Sequence, residues 1–139
     1  MQKSIDINIV VDSVGALSNK KLEGSIWLMD NSAFEGEGQG TTNLSSICVG
    51  GQVVNWKITA VDLQTPATIK FISFFDVDKE WNPDEIYYEN SNLLDAKQWS
   101  AIVPITMTIG KEYRYRLAVQ IGEGKNSVMY IDSPTLVRI

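Results

Sequence analysis

One segment of the chain concentrates residue types that bind cations and sugars. The stretch FFDVDKEWNPDEIYYEN, from Phe74 to Asn90, holds six acidic and five aromatic residues around a single proline. Carboxylates are ligands for calcium, and aromatic rings pack on the apolar faces of sugars while carboxylates and amides bind the hydroxyl groups. The candidate ligand-binding residues are therefore Asp76, Asp78, Trp81, Asn82, Asp84, Glu85, Tyr87, Tyr88 and, farther along, Trp99.

The acidic residues of this segment do not form an EF-hand. Asp76, Asp78 and Glu80 have the spacing of the first, third and fifth positions of such a loop. However, Trp81 stands where the sharp turn needs glycine, and Tyr87 stands where a bidentate carboxylate belongs. A looser calcium site remains an alternative because calcium accepts flexible geometry, and the carboxylates available for it are Asp76, Asp78, Asp84 and Glu85. No other cofactor is expected.

The same segment also fits a purely structural interpretation. Asn82-Pro83-Asp84 is ordinary turn chemistry. The following EIYYE is typical of a short edge strand whose acids prevent edge-to-edge pairing with another molecule. The sequence therefore leaves a sugar site, a calcium site and a decorated edge strand open, within a connection that we expect to run from Asp76 to about Trp99.

The chain contains few of the residue types that commonly act in catalysis. The chain contains no histidine, which removes the usual general base and the Ser-His and Cys-His nucleophile pairs. Its single cysteine, Cys48, lies in the apolar run SSICVGG and is predicted to be a small buried hydrophobic residue rather than a reactive thiol. Paired carboxylates in a cleft would be needed for a glycosidase, and the sequence does not place any. We therefore predict that the protein is not an enzyme.

Glycine-rich stretches predict turns. GEGQG, from Gly36 to Gly40, is followed by a strand pattern, whereas a phosphate loop needs a following helix, and Glu35 and Glu37 would repel phosphate, so a mobile or tight surface loop is expected. GEGKN, from Gly122 to Asn126, receives the same interpretation.

Length and charge limit the function classes further. The 139 residues fit one domain, residues 1–139, and the formal net charge of −5 argues against nucleic acid as a partner. No apolar run is long enough to span a bilayer, and the alternating amino terminus does not have the pattern of a secretory signal. A cytoplasmic location is therefore expected.

Period-two alternation of apolar and polar residues predicts nine strands and an all-β fold, an antiparallel β-sandwich of about eight or nine strands. Pro104 indicates an edge position or a bulge in its strand, which suits a sandwich better than a closed barrel. Trp27 and Trp56 are predicted to lie in the core, and Arg114 and Arg116 are predicted to pair with acids across strands.

The segments interpreted as strands are IDINIVVD, SIWLMD, TNLSSICV, QVVNWKITAVD, ATIKFISFF, SAIVPITMTI, EYRYRLAVQI, SVMYID and TLVRI. Only ALSNKKLEG and SNLLDAKQW suggest short helical turns.

The order of these features resembles the AidA/PixA inclusion body proteins of bacteria. The resemblance lies in INIVVDS at the start, in GQGTTNLSSICVGGQVVNWKITAV in the middle, and in YRYRLAVQIGEGKNSVMYIDSPTLVRI at the end. It implies a β-sandwich in the bacterial cytoplasm, associated in some members with intracellular inclusions and host-related lifestyles, and it brings no established reaction. The expected mode of action is self-association into homo-oligomers or larger assemblies, or binding of a glycan or a host protein. The alternative is a lectin-like carbohydrate-binding module that uses residues 76–88, with or without calcium.

Overall fold

The computed structural model describes residues 4–34, 36–62, 64–75, 84–87, 97–122 and 127–139, with the backbone alone described for 84–87, 97 and 98. Within these residues the chain forms ten strands and one helix. Their bounds are β1 (Ile5–Val11), α1 (Ser13–Asn19), β2 (Ile26–Asp30), β3 (Ser45–Cys48), β4 (Val53–Ala60), β5 (Ala67–Phe74), β6 (Asp84–Tyr87), β7 (Lys97–Ile102), β8 (Glu112–Ile121), β9 (Val128–Ile131) and β10 (Thr135–Arg138). No helix in these ranges is long and apolar enough to cross a membrane.

The strands form two sheets that pack face to face. The first sheet has the order β2-β1-β4-β7-β6, and the second has the order β3-β10-β8-β5. Strand β9 also pairs with β8, as β10 does. The all-β sandwich predicted from the sequence is confirmed. The expectation of purely antiparallel pairing is wrong in detail, because β1 pairs parallel with β4 and β3 pairs parallel with β10.

Alternation along each strand builds the core between the sheets. In β1 the side chains of Ile5, Ile7 and Ile9 are buried, while those between them face outward. In β8 the residues from Tyr113 to Ile121 bury every second side chain toward the same core. Both strands were recognised from the sequence because a half-buried strand in a two-layer fold must repeat with period two.

Three aromatic side chains join the two sheets at the centre. Trp56 of β4 meets Tyr115 of β8 edge to face at 5.7 Å between ring centroids, and it meets Phe74 of β5 at 6.4 Å. The Trp56 indole Nε1–H donates a hydrogen bond to the Tyr115 hydroxyl over 3.2 Å. Burial raises the pKa of Tyr115 far above its ordinary value of 10.0, although the hydrogen bond from Trp56 opposes the shift.

Several details of the sequence prediction need correction. Trp27 is 39% exposed on the outer face of the edge strand β2, whereas Trp56 is fully buried as predicted. Pro104 lies beyond the end of β7 rather than inside a strand, because the chain turns after Ile102. The helical turn predicted in ALSNKKLEG is confirmed only in part: α1 begins earlier, at Ser13, where the Asp12 side chain accepts a hydrogen bond from the backbone of Gly15, and it ends at Asn19.

The region from Asp76 to Trp99 is not one long connection. Strand β6 lies within it and pairs antiparallel with the start of β7, so residues 97–99 are strand and the predicted helix SNLLDAKQW is wrong at its end. The rest of that predicted helix, residues 91–96, lies outside the described residues. The edge-strand interpretation of EIYYE is confirmed for the backbone, because β6 is the outermost strand of the first sheet.

Candidate interaction surface

The structure describes only part of the site predicted from the sequence. Five of its residues lie outside the described ranges, namely Asp76, Asp78, Trp81, Asn82 and Tyr88. Another three, Asp84, Glu85 and Tyr87, are placed by their backbone on the edge strand β6. No group of three or more acidic or cysteine residues in the described part of the chain could hold a metal ion. The calcium site and the sugar site at residues 76–88 therefore remain predictions.

Trp99 is the one predicted site residue whose side chain is described. It lies on β7 opposite Trp56 of β4 and opposite Glu85 of β6 in the strand registers. Its side chain is partly buried and packs against the hydrophobic core. This packing accounts for the tryptophan without a ligand, so its part in binding also remains a prediction.

The structure instead reveals a cluster on the outer face of the second sheet, across strands β5, β8 and β9. We call it the Arg-aromatic patch, and its members are Phe71, Phe75, Arg114, Arg116, Tyr130 and Asp132. Its side chains stand in rows set by the strand registers. Phe75 lies beside Arg114, Ser73 pairs with Arg116, and both Phe71 and Tyr130 are register partners of Ala118.

A β-bulge in β5 brings Phe71 to this face. The pairing of β5 with β8 shifts between Ile69 and Phe71, so one extra residue, Lys70, is inserted there. Ile69 and Ile72 both remain buried, while Lys70 and Phe71 between them are both exposed. Without the bulge, strict alternation would keep Phe71 inside once Ile69 is inside, because residues two apart share one face.

Ala118 lies beneath the aromatic rings at the centre of the patch. It belongs to the outward-facing set of β8, yet it is fully buried because an aromatic ring approaches it from each neighbouring strand. The rings of Phe71 and Tyr130 contact each other with centroids 6.1 Å apart and planes inclined by 47°. These contacts hold each ring in place before any partner binds, which lowers the entropy cost of association.

Hydrogen bonds and ring contacts hold Arg116 in place within the patch. Its Nε and Nη2 donate to the two carboxylate oxygens of Asp132 over 2.7 and 3.0 Å. These hydrogen bonds lower the pKa of the Asp132 carboxyl and raise the pKa of the Arg116 guanidinium relative to their ordinary values. The guanidinium also lies over the rings of Phe75 and Tyr130, at 5.7 and 5.3 Å from their centroids. The sequence-based expectation that Arg116 pairs with an acid across strands is confirmed.

Arg114 is held differently. Its guanidinium lies 4.9 Å from the ring centroid of Phe75, and it makes no ion pair in the part of the chain that the structure describes. The side chain is exposed; its charge helps to lower the pKa of the Asp132 carboxyl, but both oxygens of that carboxylate are bound by Arg116, so the predicted acid partner of Arg114 is not found among the described residues. The patch as described therefore has two arginines and one carboxylate, an excess of one positive charge, and the guanidinium of Arg114 is supported by the Phe75 ring.

Such an arrangement is suited to binding a macromolecular surface. Phe71, Phe75 and Tyr130 are 36, 43 and 48% exposed. Aromatic residues and arginine dominate the binding energy of protein interfaces, and a guanidinium stacked on a ring can grip a carboxylate with two parallel hydrogen bonds. The patch combines both features.

The patch was missed in the sequence, although one signal was available. EYRYRLAV indicated that Arg114 and Arg116 share a face, but nothing placed aromatic rings beside them. In FISFF, Phe71 and Phe75 are four residues apart and Phe74 lies between them, so a regular strand cannot bury all three. That conflict pointed to an exposed phenylalanine, but its neighbours come from β8 and β9, more than 35 residues later in the chain.

Two other surfaces deserve comparison with the patch. On the outer face of the first sheet, Asn55 donates to Asp6 over 3.1 Å and accepts from Ser100 over 2.5 Å, and Lys57 pairs with Asp6, so the polar groups there satisfy each other. At the end of β7, beyond it and at the carboxyl terminus, four isoleucines are exposed: Ile102, Ile105, Ile109 and Ile139. Of these three described surfaces, the Arg-aromatic patch is the one that combines exposed rings with an arginine that has no salt bridge to a described residue.

Comparisons with known proteins agree with the fold. A family model described as "Domain of unknown function (DUF8788)" matches residues 3–128. No curated protein matches the chain. Among solved structures, the crystal structure of an inclusion body protein, PixA, from Burkholderia cenocepacia is similar with a TM-score of 0.76 and 11% sequence identity, covering 99% of this chain and 95% of that one. The resemblance to AidA/PixA proteins predicted from the sequence is thereby confirmed at the level of the fold.

Proposed function

Because the chain belongs to the DUF8788 family, a family of unknown function, we propose its role from its surface: it is a non-enzymatic cytoplasmic β-sandwich that acts by self-association. The observation that carries the proposal is the Arg-aromatic patch. The solved structure that shares the fold is described as an inclusion body protein, a name that refers to assembly. The associated form of this chain would accordingly be its functional form.

The patch supports association because its exposed rings gain by leaving water. Each exposed apolar surface returns about 25 cal/mol per Å² when it is buried against a partner. The rings of Phe71 and Tyr130 already contact each other, and Phe75 is covered by two guanidinium groups, so little freedom remains to be lost. A preorganised surface of this kind favours specific binding over non-specific hydrophobic association.

The state of Cys48 is consistent with a role that needs no nucleophile. The residue is fully buried, and its Sγ lies 3.5 Å from the carbonyl oxygen of Val137. Burial raises the pKa of the Cys48 thiol from 9.0 to about 11, with partial opposition from Arg138. The thiol therefore stays protonated at neutral pH, as expected for a packed core residue rather than a catalytic one.

Sedimentation velocity and light scattering of the purified chain, over micromolar to millimolar concentration, test the proposal. We expect the mean mass to grow with concentration, and we expect Tyr130→Ser to reduce that growth strongly. Ile105→Ser is the matched control, because Ile105 is even more exposed, at 74%, but lies outside the patch. A wild-type chain that stays monomeric throughout, or an Ile105→Ser chain that loses association as Tyr130→Ser does, would contradict the proposal.

A further inference from the structure

The Arg-aromatic patch is not complementary to a second copy of itself. Both oxygens of Asp132 accept hydrogen bonds from Arg116 of the same chain, so they do not balance another arginine. A two-fold symmetric contact would bring two patches together and would collect two Arg114 guanidiniums, neither with a salt bridge to a described residue of its own chain, in one interface. Like charges placed close together at an interface cost several kcal/mol. The partner surface must therefore be a different, negatively charged one.

The chain itself supplies such a surface. Its net charge of −5 comes from 17 acidic residues against 12 basic ones. Strand β6 begins with two consecutive acids, Asp84 and Glu85, and it is the outermost strand of the first sheet. It pairs with β7 on one side, and none of the described strands pairs with it on the other. The backbone of these two acids thus lies on the outermost of the described strands of that sheet.

We infer that the Arg-aromatic patch of one copy binds the acidic edge strand β6 of a second copy. The inference rests on the proposed self-association and names the two surfaces that carry it. Arg114, stacked on Phe75 and lacking an ion pair in the described structure, binds a carboxylate of Asp84 or Glu85 in the neighbouring copy. Phe71 and Tyr130 bury their exposed faces against the same strand.

This contact produces an open assembly. The patch lies on the outer face of the second sheet, whereas β6 is an edge of the first sheet, so the two surfaces of one copy are different. A head-to-tail contact between different surfaces leaves one free patch and one free edge after every addition. Growth continues unless the rotation between copies closes a ring.

A mixing experiment tests both surfaces. The patch variant is Arg114→Glu, and the edge variant carries Asp84→Lys together with Glu85→Lys. Each variant alone should associate at least about tenfold more weakly than wild type, because each lacks one half of the contact. Mixed at equal concentrations, they should assemble together into alternating chains, because the intact patch of one variant meets the intact edge of the other and the two reversed surfaces attract each other as well. A chain with all three substitutions should regain assembly, since the charges are exchanged.

Charge-matched controls separate this contact from a general charge effect. Lys21→Glu changes the net charge as Arg114→Glu does, and Glu23→Lys with Glu37→Lys changes it as the edge variant does. All three residues are exposed outside the patch and outside β6, and these chains should assemble like wild type. Circular dichroism confirms that each variant folds.

Three results would overturn the inference. These are full assembly of the edge variant alone, full assembly of the patch variant alone, or a mixture of the two that does not assemble. They differ from failure of the proposed function itself, which would appear as a wild-type chain that remains monomeric at every concentration.

Discussion

The hydrogen bond between the two sheets offers a direct test of how the sandwich is held together. Trp56 and Tyr115 are both fully buried, and the indole N–H of Trp56 donates to the Tyr115 hydroxyl over 3.2 Å. The substitution Tyr115→Phe removes the acceptor and keeps the ring, so packing in the core is preserved. The indole N–H then remains buried without a partner, which costs about 1–3 kcal/mol of unfolding free energy.

The expected change in melting temperature follows from the size of the chain. Unfolding entropy is about 2.1 cal/mol/K per residue, which gives roughly 290 cal/mol/K for a chain of this length. A loss of about 1–3 kcal/mol therefore lowers the melting temperature by about 3–10 °C. Urea unfolding followed by tryptophan fluorescence, together with calorimetry, measures both quantities.

Tyr130→Phe is the matched control for this prediction. It removes the same hydroxyl from the same sheet, but Tyr130 is 48% exposed, and surface substitutions usually change stability by less than about 0.5 kcal/mol. If the two variants unfold at the same urea concentration, the buried hydrogen bond does not stabilise the sandwich and the reasoning is refuted.

The pH dependence of the same variant provides a second test. Burial raises the pKa of Tyr115 above its ordinary value of 10.0, so the folded state keeps a proton that the unfolded state loses above that pH. The unfolded state then binds fewer protons, and stability falls as the pH rises through this range. Because Tyr115→Phe cannot ionise, the stability difference between the variant and wild type should narrow above pH 10. A constant difference would contradict the assigned pKa direction.

Three further predictions follow from single positions. Cys48, with its pKa raised to about 11, should react with iodoacetamide at pH 8 far more slowly than an unfolded control, and equal rates would disprove its burial. Gly38→Ala should destabilise the chain more than Gly40→Ala in urea unfolding: both glycines have φ near +80°, but a Cβ at Gly38 meets the carbonyl oxygen of Asn43 and a Cβ at Gly40 meets nothing. If residues 76–88 bind sugars, a glycan array should show hits, with or without calcium, that Trp81→Ala abolishes, whereas an array without hits would remove the carbohydrate alternative.

Local pattern predicts an element well where one chemical requirement dominates. Strands β1 and β8 alternate cleanly because one face of each is buried, and β8 was predicted with its observed bounds, Glu112–Ile121. The loop at GEGQG was recognised because Gly38 and Gly40 adopt positive φ, a conformation that glycine reaches without strain. Burial of Cys48 was likewise evident from the apolar run around it.

Prediction failed where neighbouring strands decide the outcome. Trp27 belongs to a good strand pattern, but β2 is an edge strand whose outer face is open, so the ring is exposed. The pairing of β6 with β7 also escaped notice, because acidic residues in a short segment are as typical of a loop as of an edge strand. The burial and pairing of a strand depend on which other strands lie beside it, and the sequence of a single segment does not specify those strands.

By itself, the sequence determined that this protein is an all-β sandwich with a buried thiol, no histidine and a net negative charge, because alternation and composition are local properties. Only the tertiary structure decided where binding surfaces lie. The bulge at Lys70 turns Phe71 outward, Ala118 leaves room beneath two rings, and Asp132 binds Arg116, while Arg114 has no salt bridge to a described residue. Each of these facts depends on side chains that come together only when distant strands pair, and pairing between distant strands is set by the packing of the whole sandwich.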